Sequence, residues 1–311
     1  MKKIVILQTS GNELANQLWN YISVFAYAKE KGYELENPAF FEYGDYFPNA
    51  KAGSIFMFFF FLPFRNYTKR KTAFRRKLWR KWYFWYARAM IWFFKKRYFS
   101  YQDSEHSTFY LSPTNESTNR LKELEENTES IYLNSWLFRN PVGINKYRKE
   151  IQAYFSPRKN IETFVSLQVE KWRKQNKTLI GVHIRQGDYL TWRKGAYYIE
   201  QARVREIIDE YLSFFKKNKD EILFVITSDG TVDEKLFYGL SFVVSKSNAV
   251  TDLFLLSSTD TIIGSDSTFG AFASYYGNLP FIVMQKNAMD WEYYQDKKEY
   301  FENKHCTVVH Y

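Results

Sequence analysis

Five short apolar runs, at residues 179–184, 222–227, 242–244, 261–264 and 280–284, are separated by stretches whose apolar residues recur with helical spacing. No other feature narrows the fold so far. Runs of this length, rich in Ile, Val, Leu and Phe and without polar alternation, read as strands buried on both faces, the pattern of a parallel sheet covered by helices. The intervening helices are expected at 197–217, 233–238, 250–258 and 268–276. Strand and helix in regular alternation predict an α/β domain built on a doubly wound parallel sheet with right-handed crossovers.

In such a domain ligands bind outside the carboxyl ends of the strands. The first run leads out into His183, Arg185 and Asp188, the second into Ser228, Asp229 and Gly230, and the segment 264–269 (GSDSTF) joins the fourth run to a helix. Ser267 and Thr268, with their backbone N–H groups, stand where a helix N-terminus binds a phosphate. Arg185 from a neighbouring strand could close on the same oxygens as a bidentate clamp. Together they describe a site for a nucleotide diphosphate. Each residue also has a plain structural use. Ser267 and Thr268 are good caps, Asp188 could be a turn residue, Asp229-Gly230 is a common turn pair, and Asp252 could cap its own helix. Their convergence on strand ends of one domain is what favours a ligand.

Other chemistries find little support. The sequence holds no H-E-x-x-H, no G-x-x-x-x-G-K-[ST], no G-x-S-x-G and no D-x-D pair of the kind that holds a metal on a sugar nucleotide. No metal and no resident cofactor are expected, and a leaving group's charge would be met by arginine and helix dipoles.

With 311 residues the chain can fill two cores. The expected division is an N-terminal domain over 1–165, carrying an insertion at about 50–110, and a C-terminal domain over 166–311. Residues 4–7 read as a first strand, since the apolar run after Met1-Lys2-Lys3 is too short for a secretory signal. A helix over 14–31 follows, stopped by Gly32, and its N-terminus after Gly11-Asn12 is a possible anion or sugar site. Further helices are expected at 119–126, 145–155 and 160–174, with strand character at 130–138. Cys306 is the single cysteine, so no intramolecular disulfide can form and a reducing, cytoplasmic compartment fits.

Charge is unevenly spread. From Tyr46 to Gln102 there is no Asp or Glu but 14 of the 44 Lys and Arg, so the rest of the chain is slightly acidic. Within 56–101 these basic residues are interleaved with Trp, Tyr and Phe, and the ten-residue apolar run before them is too short to cross a bilayer. Three readings stand: attachment to an anionic membrane surface, a helical part of the first domain with a solvated basic face, and single-stranded nucleic-acid binding.

His183-Ile184-Arg185-Gln186-Gly187-Asp188-Tyr189 resembles the H-x-R-R-x-D-Y motif of the α1,2-fucosyltransferases, family 11 of the glycosyltransferases, with Gln186 in place of the second arginine. The run from Asp252 through Ile262-Ile263-Gly264 to Ser267-Thr268-Phe269 is similar to that family's later motif. Gly11 through Asn16-Gln17 to Ala28 is similar to its N-terminal segment, and Ser228-Asp229 falls where it often has S-D-D. The resemblance implies a two-domain GT-B-like architecture and metal-independent, inverting transfer of fucose from GDP-fucose to a hydroxyl, the 2-OH of a galactoside. It implies Arg185 at the β-phosphate, Thr268 and Ser267 at phosphate, His183 and Asp252 at the guanosine, and Asn16 and Asp229 among the donor-binding residues. Asp188 is the nearest carboxylate to accept the attacking hydroxyl's proton, and the N-terminal domain would supply most of the acceptor site. A surface-glycan precursor or lipid-linked oligosaccharide is the expected acceptor, met at the inner face of the plasma membrane. The alternatives are another GDP-sugar or linkage on the same fold, and a non-catalytic membrane- or nucleic-acid-binding protein led by 56–101.

Overall fold

The computed structural model describes residues 1–7, 13–50, 73–100, 109–110, 116–134, 138–176 and 178–307. The apolar run at 55–64 and the Gly11-Asn12 turn lie outside them. Two compact units divide between Arg158 and Lys159, a little ahead of the boundary drawn from sequence. The whole helix that follows therefore belongs to the second unit.

The first unit is built on a four-stranded parallel sheet in which β1 (Lys3–Ile6) lies between β2 (Glu34–Glu36) and β5 (Ser130–Leu133), with β3 (Tyr98–Phe99) outside β5. The pair β4 (Phe109–Tyr110) and β6 (Phe138–Arg139) is separate. Helix α1 (Leu14–Lys31) buries Leu18, Trp19, Tyr21, Ile22 and Val24 and ends at Gly32, whose φ of 67° supplies the left-handed cap. Tyr21 is the hub of an aromatic cluster with Phe40 and Phe155. Helix α2 (Ala73–Phe93) lies within the basic segment, and α3 (Glu116–Asn127), α4 (Pro141–Lys146) and α5 (Arg148–Tyr154) are the unit's other described α-helices. The expected helix at 145–155 is thus two helices, broken at Tyr147. The strand character at 130–138 resolves into β5 and β6, which belong to different sheets.

The second unit opens with α6 (Lys159–Arg173) and β7 (Thr178–Ile184). It continues through α7 (Gln201–Phe214), β8 (Ile222–Ser228), β9 (Phe242–Val244), α8 (Ala249–Leu256), β10 (Thr261–Gly264), α9 (Thr268–Gly277) and β11 (Phe281–Val283). The five strands are parallel in the order β11-β10-β7-β8-β9, the doubly wound sheet expected from the sequence. On one face Val204, Ile207 and Ile208 of α7 pack on Ile180, Val182, Phe224 and Ile226. On the other, Leu179, Leu223 and Val225 meet Val169 and Trp172 of α6, and α8 packs on α6, α9 and the central strands. Arg173 grips both oxygens of Asp260 at 3.0 and 2.7 Å, and Asp260 also accepts from the Leu179 N–H at 2.8 Å. That contact fixes α6 to the entrance of the sheet. The helix expected at 233–238 is a single 3-10 turn, Glu234–Phe237, in which only Phe237 is buried.

Candidate active site

Strand β7 sits at the centre of the sheet, and the chain leaves it in both directions: β8 and β9 on one side, β10 and β11 on the other. The gap between the carboxyl ends of β7 and β10 is therefore a topological switch point, where an open α/β sheet leaves room for a ligand. In-register pairing sets His183 between Gly264 of β10 and Thr227 of β8.

Ser265 ties the two loops at that gap together. Its N–H donates to the His183 carbonyl at 3.0 Å, and its Oγ accepts from the Arg185 N–H at 3.0 Å. Arg185 and the start of α9 therefore leave the sheet side by side. The Arg185 guanidinium reaches Asp188 Oδ1 through Nη2 at 2.7 Å and Asp229 Oδ2 through Nη1 at 2.9 Å, while its Cζ lies 5.5 Å from the centre of the Tyr189 ring. Asp229 also accepts from the Gln186 N–H at 2.7 Å, so it holds both the arginine and the backbone beside it. Tyr189 stacks on Trp192 and donates its hydroxyl to the Asp266 carbonyl at 2.9 Å.

His183 is buried and stacked on Phe269, ring centres 4.7 Å apart. Its Nδ1 lies 3.2 Å from Thr227 Oγ1, while Nε2 is buried without a partner. Burial foremost, and the neighbouring Arg185 charge second, hold its pKa down to about 3, so the imidazole is neutral near pH 7. A buried ring nitrogen left unpaired costs free energy that a ligand able to hydrogen-bond it would recover. Gln186 Nε2, in the loop that follows β7, is also buried without a partner.

Ser267 caps α9, its Oγ accepting from the Gly270 N–H at 3.3 Å, and half-buried Thr268 is the first residue of the helix. The structure thus gathers His183, Arg185, Asp188, Asp229, Ser267 and Thr268 around one end of the sheet. Asp252 stands apart from Arg185 in its bonding. It lies on α8 and accepts a 2.5 Å bond from Ser245, just beyond β9, with burial raising its pKa and that bond lowering it. Asn16 lies half-buried on α1 of the first unit. Among the described residues, no group of three or more His, Cys, Asp or Glu side chains is placed to hold a metal ion.

Reading the sequence assigned no role to Thr227, Ser265 or Phe269. Thr227 was discoverable, because parallel strands in register set the end of one beside the end of the next. The stacking of Phe269 on His183 depends on the path of the β10–α9 loop, which no spacing encodes.

A profile of glycosyl transferase family 11 matches residues 145–306, just over half of the chain and nearly all of the second unit. Comparison with curated protein sequences gave no match. Among solved structures, the chain is similar to an Arabidopsis thaliana FUT1 variant in complex with GDP. The TM-score is 0.54 at 15% identity, over 92% of this chain and 71% of that one. It is also similar to POFUT1 in complex with GDP-fucose, TM-score 0.51 at 15% identity over 88% and 93% of the two chains. NodZ α-1,6-fucosyltransferase co-crystallised with GDP gives a TM-score of 0.52 at 14% identity over 91% and 95%. These likenesses establish the shared fold, a GT-B-like α/β architecture with parallel sheets. With the profile matched across the switch-point residues and beyond, the chain belongs to glycosyl transferase family 11.

Proposed function

We propose that this glycosyltransferase moves fucose from GDP-fucose to the 2-hydroxyl of a galactoside, with inversion and without a metal ion. The observation that carries the reading is the Ser265 bridge, which brings Arg185 and the N-terminus of α9 out of the same switch point. A diphosphate there meets a bidentate guanidinium and the amides of Ser267 and Thr268. The structural neighbours that hold GDP or GDP-fucose support the choice of donor.

In the reaction the acceptor oxygen attacks the anomeric carbon as the bond from that carbon to the β-phosphate oxygen breaks, and the electron pair leaves with GDP. Arg185, exchanging Asp188 for phosphate oxygens, and the α9 dipole stabilise that charge as it grows. The proton of the attacking hydroxyl goes to Asp188, the exposed carboxylate held against Arg185. His183 Nε2 bonds the nucleoside, and Asp229 keeps Arg185 in place. The acceptor is a surface-glycan precursor or a lipid-linked oligosaccharide.

The test is transfer and GDP release across a panel of GDP-sugars, with and without EDTA. Turnover should be confined to GDP-fucose, survive EDTA and fall about a hundredfold or more in Arg185→Ala. Asp188→Asn should keep GDP binding while losing transfer. Preference for another GDP-sugar would reassign the donor, EDTA sensitivity would restore a metal, and an unaffected Arg185→Ala would remove that residue from the mechanism.

A further inference from the structure

Helix α2 has two apolar faces, and the described residues of the first unit pack on one of them. Inward, Tyr83 and Ala87 are buried, the Tyr83 ring lies 5.3 Å from Phe41, and Arg80 pairs with the buried carboxylate of Glu42. Just past the helix, Phe94 stacks on Tyr132 at 4.3 Å. Outward, Leu78, Trp82, Trp85, Ala89 and Trp92 recur at steps of four and three residues and so share one face. Trp82 is 51% exposed, Trp85 59% and Trp92 73%, and Phe93 beside them is 70% exposed. Trp85, Trp92 and Phe93 together in water are an arrangement a protein surface ordinarily avoids.

The charges around the row define what can cover it. Lys81 and Arg88 are exposed beside it, and Lys95, Lys96 and Arg97 follow its end. No carboxylate occurs from Tyr46 to Gln102. Pairing with a second copy about a twofold axis would set these cations against their own images. A single-stranded nucleic acid would match the charge but needs a groove that tracks its backbone, whereas this row lies along one convex helix face. No helix among the described residues is long and apolar enough to cross a membrane. We propose that α2 lies flat in the headgroup layer of an anionic leaflet, with Trp85 and Trp92 inserted. The ring of Trp is apolar and its N–H polar, which suits the acyl boundary, while Lys81 and Arg88 reach lipid phosphates with their stems along the apolar surface. This inference is independent of the donor sugar.

Full-length protein is mixed with phosphatidylcholine vesicles and with vesicles in which about a third of the lipid is phosphatidylglycerol. Co-sedimentation and quenching of tryptophan emission by brominated acyl chains are measured. Binding should require the anionic lipid, weaken with salt and quench tryptophan. Trp85→Glu/Trp92→Glu should lower partitioning about tenfold or more, with unchanged circular dichroism and unchanged GDP-fucose hydrolysis. Lys81→Glu/Arg88→Glu should lose the preference for anionic lipid. Should the glutamate pair fail to fold, Trp85→Phe/Trp92→Phe must keep binding and lose most of the quenching. Equal binding by the variants, binding without quenching, or no binding would overturn the proposal. So would a dimer that only the glutamate pair dissolves, or capture of oligonucleotides in preference to vesicles. GDP-fucose turnover, assayed without vesicles, reports separately on the proposed activity.

Discussion

His183 shows how far one side chain's surroundings fix its chemistry. Stacked on Phe269 and closed in beside Arg185, it has a pKa pushed down from its ordinary 6.5 to about 3. Between those values the unfolded chain binds a proton at this position that the folded chain does not. Stability contributed by the neutral ring is therefore complete above about pH 6.5 and is lost on acidification toward pH 3, by about 1.4 kcal/mol for each pH unit. Asp252 acts in the opposite sense, because burial raises its pKa and the folded state takes up that proton first as pH falls. Denaturant titrations at neutral and mildly acid pH should show the native protein losing more stability than His183→Gln on acidification. Equal losses would assign the slope to other groups. The position of His183 at a strand end was legible from the motif. Its neutrality was not, because that follows from burial and from the ring of Phe269.

At the scale of elements, the loops after β7 and β8 interlock through two glycines. A Cβ on Gly187 would stand 2.5 Å from Asp229 Oδ2. One on Gly230 would stand 2.5 Å from Gln186 Oε1 and 3.0 Å from Gln186 Cβ. Each loop needs a bare backbone where the other's side chain crosses, and that crossing holds Asp229 on Arg185. Gly230→Ala should cost about 1–3 kcal/mol of stability by overpacking and should lower turnover more than it lowers GDP affinity. Chemical denaturation with steady-state kinetics checks both, and an unchanged midpoint would show that Gln186 can give way. The five strands were readable because each is continuously apolar: β7, β8, β10 and β11 are almost wholly buried, and only the edge strand β9 is half-buried. The turn at 192–195 was not readable. Arg193 and Lys194 adopt left-handed backbone angles, φ 46° and 58°, which long side chains seldom take and composition does not announce. That turn delays α7 to Gln201, past the start expected at 197. The first unit's sheet was equally hidden, because β1 pairs with β5 from the far end of its own unit and neither strand exceeds four residues.

For the whole molecule, each of the two compact units has its own parallel sheet, and the switch-point cluster belongs entirely to the second. The family profile covers that unit and little of the other, and the basic aromatic helix belongs to the first. The proposed donor site and the charged surface thus sit on different cores. A ligand that binds only folded protein adds RT ln(1 + [L]/Kd) to the stability of whatever unfolds with its site, about 2.7 kcal/mol at a hundredfold excess over Kd. Scanning calorimetry with saturating GDP should therefore raise the transition that carries residues 159–310, and hydrogen exchange should show the added protection at His183, Arg185 and the start of α9. If the units melt separately, the other transition stays where it was. Arg185→Ala should abolish the shift while both sheets still form. A GDP-induced shift of the same size in Arg185→Ala, or protection confined to the first unit, would place the nucleotide elsewhere and separate it from the switch point.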